Sequence, residues 1–222
     1  MPALSPASAL RNTLNLVLLL IASTASAAQQ AAPVAETLHY DGGRLALTRG
    51  GGDCAITLHG DINPNAVRQL TVALSELDKS ECARKSLSLN ASQGTVNAAI
   101  TVGAMLRNRG YDTRIEDGSL CLTPCALVFM SGRERHLSGG AYPARIGFQQ
   151  LPPDRDFGAH QCQTEPTRNQ SLTLSRYLRA MLPSSTATAI LNKIGAADCN
   201  KIQFVGTHEA LTLGLATSYN TR

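Results

Sequence analysis

Six cysteines, five histidines and a threonine caught between two of those cysteines are the residues of this chain with chemistry to offer. Cysteine serves either as a metal-binding thiolate or as half of a disulfide. Structural zinc sites bring paired ligand motifs, whereas this chain has no Cys-x-x-Cys and only the spacing Cys121-x-x-x-Cys125. Disulfides are therefore expected, with no metal and no cofactor. Six cysteines allow 15 pairings. Joining neighbours along the chain gives Cys54 with Cys82, Cys121 with Cys125, and Cys162 with Cys199. Inside the middle pair stands Thr123, a hydroxyl able to act as a nucleophile if a base takes its proton. A base titrating near neutral pH would come from His39, His59, His136, His160 or His208.

Disulfides require an oxidising compartment, and the N-terminal sequence points to one. Residues 1–27 hold a single charge, Arg11, then an apolar run from Leu16 to Ala22, then Ala25-Ser26-Ala27. This is the pattern of a secretory signal cleaved before Ala28. Its apolar run is far short of the roughly 20 residues that span a bilayer. Its removal leaves residues 28–222, enough for one domain that buries about 70% of its unfolded surface. The expected location is periplasmic or secreted, without stable membrane insertion. The net charge of +4 comes without runs of Lys and Arg or interleaved aromatics, which excludes a nucleic-acid partner from the reading.

The elements that must position these groups follow from periodicity and turn chemistry. Residues 28–53 read as a lead-in and a hairpin turning at Asp41-Gly42-Gly43, and residues 54–222 as the main domain. A strand at Ala55–Leu58 precedes a helix with Asn63 as cap and Pro64 in its first turn, burying Val67, Leu70, Leu74 and Leu77. A strand at Leu87–Leu89, the turn from Asn90 to Gly94 and a helix closed by Gly110 follow. Beyond a strand at Thr113–Glu116, Ala126–Met130 suits a short apolar helix. Strands at Arg135–Leu137 and Arg145–Phe148 come next, then a loop from Gln149 to Thr167. Helices at Leu172–Leu182 and Thr186–Ile194, a strand at Ile202–Val205, a short helix closed by Gly214 and a last strand complete the chain. Alternating strands and helices imply an α/β fold with helices packed on a parallel sheet.

Four stretches together carry a resemblance: Gly60-Asp61-Ile62 after the core strand, Asn90-Ala91-Ser92-Gln93-Gly94, Cys121 to Gly132, and Ala144 to Gln150. They are similar to the proteolytic subunit of the Clp protease, and more closely to its exported, cysteine-bearing bacterial relatives. Glu209-Ala210-Leu211-Thr212-Leu213-Gly214-Leu215 resembles a further element of that family. The resemblance spans residues 54–217 and implies the ClpP/crotonase-like spiral of ββα units, here disulfide-stapled, with assembly into homo-oligomers.

The resemblance puts Thr123 at the family's serine nucleophile and Gln149 at its histidine base. A carboxamide does not titrate near neutral pH and takes no proton. The orienting aspartate would fall near Ile202, with Asp198 the nearest acid and off register. Of the two oxyanion donors, one comes from the turn at Gln93 and Gly94. The other is the N–H of the residue after the nucleophile, here Pro124, which has none. Thr123-Pro124 also reads as a helix cap followed by a first helical proline. The expected function is a catalytically degenerate, exported ClpP-like domain that binds a protein or peptide. The alternative is a hydrolase of altered mechanism using Thr123 with a base from the loop, His160 being the candidate there.

Overall fold

Leu45 and Leu47 alternate with Arg44, Ala46 and Thr48, and a period of two sends one side of a strand into the core and the other outward. The computed structural model of the protein describes residues 34–149, 151, 167–197 and 201–220. Strands β1 (Val34–Tyr40) and β2 (Gly43–Gly50) form the predicted antiparallel hairpin, and β3 (Asp53–Gly60) continues it. Helix α1 (Pro64–Leu77) starts where Asn63 accepts the Ala66 N–H at 2.9 Å. The same Asn63 side chain donates to the Asp41 carbonyl at 2.8 Å, so one residue caps the helix and holds the hairpin turn. After β4 (Arg84–Asn90) comes α2 (Val96–Arg109), capped by Thr95 and closed by Gly110 in the left-handed conformation at φ 72°.

Then follow β5 (Asp112–Ile115), the two-residue β6 (Leu120–Cys121), α3 (Thr123–Met130), β7 (Arg135–Ser138) and β8 (Arg145–Phe148). Helix α4 (Arg168–Met181) opens with a capping box in which Thr167 and Gln170 satisfy each other's backbone N–H. Helix α5 (Ser184–Gly195), β9 (Gln203–Val205), α6 (Thr207–Thr212) and β10 (Ser218–Asn220) end the described chain.

Seven strands form one sheet in the order β1-β2-β3-β4-β5-β7-β10, parallel from β3 onward. Its register stacks Leu45, Leu58, Leu89, Ile115 and Leu137 in one buried row, and Leu47, Ile56, Leu87, Thr113 and Arg135 in the next. The opposite face carries Ala46, Thr57, Ser88, Arg114, His136 and Ser218 across the same strands. A second sheet, β6-β8-β9, was not expected from the sequence, because a two-residue strand has no period to read. Val67, expected in the core, is only half buried. No helix among the described residues is long and apolar enough to cross a membrane.

Candidate functional site

All eight residues of α3 are buried. A helix apolar on every side belongs inside the protein, and its unpaired terminal carbonyls then need partners other than water. Here they have them. Tyr177 donates to the Leu127 carbonyl at 2.7 Å, Ser131 to Val128 at 2.7 Å, and Thr113 to Phe129 at 2.6 Å. Arg107 and Arg135 both donate to the Gly132 carbonyl just beyond the helix. Two guanidinium groups at a helix C-terminus also oppose the negative end of its dipole. Burial pushes both arginines below their ordinary range and the Tyr177 phenol well above its own. At the other end, the Cys121–Cys125 disulfide ties β6 to the first turn of α3 with its Cα atoms 5.2 Å apart, inside the usual range.

Thr123 is the first residue of α3, with Leu122 at the cap position and Pro124 second. The expected threonine cap is thus displaced by one residue, since the Thr123 side chain points to a strand rather than along its own helix. Its hydroxyl, fully buried, donates to the Gln149 carbonyl at 3.1 Å and accepts the Gln149 N–H at 2.9 Å. This pair prolongs the β6–β8 ladder by a side chain. It also holds the proton of the hydroxyl on an amide oxygen, which is no base. Pro124 costs the helix nothing, because first-turn N–H groups have no intrahelical acceptor.

Gln149 follows β8, whose antiparallel register with β9 pairs Phe148 with Gln203. Ile202, just before β9, packs its side chain over Gly147 of β8: a Cβ on that glycine would lie 2.7 Å from the Ile202 Cγ2. Asp198 and His160 lie outside the described residues, as does the Cys162–Cys199 pair.

The turn before α2 completes the site. Ile62 donates to the Gln93 carbonyl at 3.0 Å, and its own carbonyl accepts the Thr95 N–H at 2.9 Å. Gly94 sits at φ 143°, and a Cβ there would lie 2.4 Å from the Ile62 carbonyl oxygen. Only glycine meets both demands. The turn, the cap of α3 and the residue after β8 border a cavity of about 340 Å³ lined by Ser92, Gln93, Gly94, Leu122 and Gln149. The structure therefore brings Gln93, Gly94, Gln149 and the residue before Thr123 to one cavity. Every group lining it is uncharged and none titrates near neutral pH.

The described histidines stand elsewhere. His39, His59 and His136 lie on the sheet face opposite the leucine rows and α3, and His208 is exposed on α6. His136 Nδ1 contacts the Ser218 hydroxyl across β7 and β10. No group of three or more metal-ligating side chains occurs among the described residues. The first predicted disulfide, Cys54–Cys82, is present with Cα atoms 5.6 Å apart, and joins β3 to the segment leading into β4. Sequence reasoning missed Arg107, Arg135, Tyr177 and Thr113. Thr113 and Arg135 join the leucine rows only through the register of the sheet, so no run in the sequence marked them.

No protein-family model matches the sequence, and no curated protein does. Solved structures match at the level of fold. A peptidase from Plasmodium falciparum is 14% identical with TM-score 0.54, over 76% of this chain and 96% of that one. ClpP1 from Listeria monocytogenes is 11% identical with TM-score 0.56, over 76% of this chain and 91% of that one. A point variant of that protein gives 13% and 0.55 over the same shares. At such identities the likeness is one of architecture, and the chain is built on the fold of the ClpP-type peptidases.

Proposed function

We propose that this chain is an exported relative of the Clp-type peptidases that has lost peptide hydrolysis and acts by binding a protein or peptide segment at the cavity between Gln93 and Gln149. The observation that carries this reading is the Thr123 hydroxyl, buried and bonded in both directions to the Gln149 backbone. A nucleophile must be free to reach a carbonyl and must face a base. Pro124 and Ile202 argue the same way, since one removes an oxyanion donor and the other replaces the group that would orient a base. The neutral, polar cavity lining suits the amides of an extended peptide. Export through the segment 1–27 is part of the reading, and the two disulfides are what an oxidising compartment supports. So are the spiral of ββα units and association with further copies of the chain, both of which rest on the resemblance in sequence.

The test uses protein secreted by a bacterial host. Incubation with unfolded casein and with a serine-directed phosphonate is expected to give neither cleavage nor labelling. Labelling that disappears in Thr123→Ala would overturn the proposal. For the binding arm, fluorescent casein peptides should bind, and Ser92→Trp, which fills the cavity, should weaken that binding. Equal binding by the variant would remove the cavity from the function.

A further inference from the structure

The first turns of α1 and α2 flank an open groove of about 440 Å³, lined by Pro64, Val67, Arg68, Thr95, Asn97, Ala98 and Thr101. It lies on the far side of the Gly94–Thr95 turn in sequence from the cavity at Gln149. Its lining is mostly apolar, with Asn97 and Arg68 as the larger polar side chains and the half-buried Val67 at the position where helical periodicity called for core. Its volume falls in the range of sites that take small molecules or side chains.

Arg68 gives this cavity its chemistry. It lines both the apolar cavity and an adjoining polar one of about 170 Å³, bounded by Tyr40, Asp41, Asn65 and Gln69. Its only described bond is to the Asn65 side-chain oxygen. Every ion pair among the described residues belongs to other bases: Arg49, Lys79, Arg84, Lys85, Arg109 and Lys193. An exposed guanidinium in no ion pair among the described residues, set beside an apolar pocket, complements a ligand that joins an apolar group to a carboxylate. The polar cavity adds a second requirement. Asp41 and the carboxamides of Asn65 and Gln69 offer acceptors for N–H groups and donors for carbonyls, which a peptide backbone supplies and a fatty chain does not.

We propose that this paired cavity captures the carboxy-terminal end of a peptide or protein. The last, apolar side chain enters between α1 and α2, the terminal carboxylate meets Arg68, and the preceding amide groups lie along Asn65, Gln69 and Asp41. The site is independent of the cavity at Gln149, and neither stands or falls with the other.

N-acetyl-Gly-Gly-Leu as the free acid, the same peptide as its C-terminal amide, and octanoate are titrated into the isotope-labelled secreted protein. Backbone resonances of Val67, Ala98 and Thr101 report binding. The free acid is expected to shift them saturably, and the amide to bind roughly five- to tenfold more weakly, as for loss of one charge-assisted contact. Arg68→Gln should weaken the acid by the same factor and leave the amide unchanged, and Thr101→Trp should block both. Both substitutions fall on exposed positions, so the fold is retained. No saturable shift with the free acid, or equal affinity for acid and amide, would overturn the proposal. Octanoate binding as tightly as the peptide would overturn it in favour of fatty carboxylates.

Discussion

Thr123 donates and accepts through one hydroxyl, and both partners belong to the backbone of a single residue 26 positions later. That makes its substitution a clean test of role. Thr123→Val keeps the shape and strands a buried N–H and carbonyl, so stability should fall by about 2 kcal/mol, the lower part of the cost for two unpaired groups. Thr123→Ser keeps both bonds and loses a methyl group, for about 1 kcal/mol, and should gain no phosphonate labelling. Urea denaturation separates the two variants. A catalytic role would instead show as Thr123→Ser activity at unchanged stability. Tyr111 offers the converse case. Its hydroxyl is buried and has no hydrogen-bond partner among the described residues, so Tyr111→Phe removes a desolvated polar group and gives nothing up. The urea midpoint of that variant should equal or exceed the parent's. A drop of more than about 1 kcal/mol would mean that the hydroxyl is paired after all.

Helix α3 is held at both ends by means that differ in kind. The disulfide at its start closes a short loop, with a sequence separation of 4, and Cys54–Cys82 closes one with a separation of 28. Chain-entropy arguments give roughly 2 kcal/mol for the first and roughly 3.5 kcal/mol for the second. Replacing each pair by alanines should therefore rank them in that order by thermal unfolding, and the opposite order would point to a local packing role for Cys121–Cys125. At the helix end, Arg135 donates to the carbonyls of Leu215, Gly132, Gly214 and Arg133. One planar fork links α3, β7 and the segment after α6. Lysine presents a single point of charge, so Arg135→Lys should cost about 2 kcal/mol although charge is conserved. Stability matching the parent would show that these carbonyls find other partners.

Over the whole molecule, buried phenols make the fold sensitive to alkaline pH. Burial first, and then the nearby carboxylates Asp61 and Asp78, push the Tyr40 and Tyr111 phenols up to about 12 from their ordinary 10.0. Burial raises Tyr177 further still. Because the folded chain holds these protons more tightly than the unfolded chain, their contribution is complete below pH 10 and declines as pH rises toward 12. Urea midpoints should be flat to about pH 9 and fall above about pH 10. The decline should become shallower in Tyr40→Phe and Tyr111→Phe. A midpoint independent of pH up to 11 would contradict the raised phenols.

What the sequence determined by itself is what local chain chemistry encodes. The hairpin turn at Asp41-Gly42-Gly43, the cap at Asn63, the stop at Gly110 and the turn at Gly94 were all readable, because each depends on a few neighbouring dihedrals. So was the chemistry of Gln149, Pro124 and Ile202, since whether a side chain titrates, or an amide carries a proton, is fixed by residue type. The tertiary structure alone decided where Thr123 sends its hydroxyl, which carbonyls Arg135 and Tyr177 satisfy, and that Val67 lines a cavity instead of filling the core. Those outcomes depend on the register of two sheets and on the approach of helices far apart along the chain. A bond between residues 123 and 149 leaves no period in the sequence on either side of it.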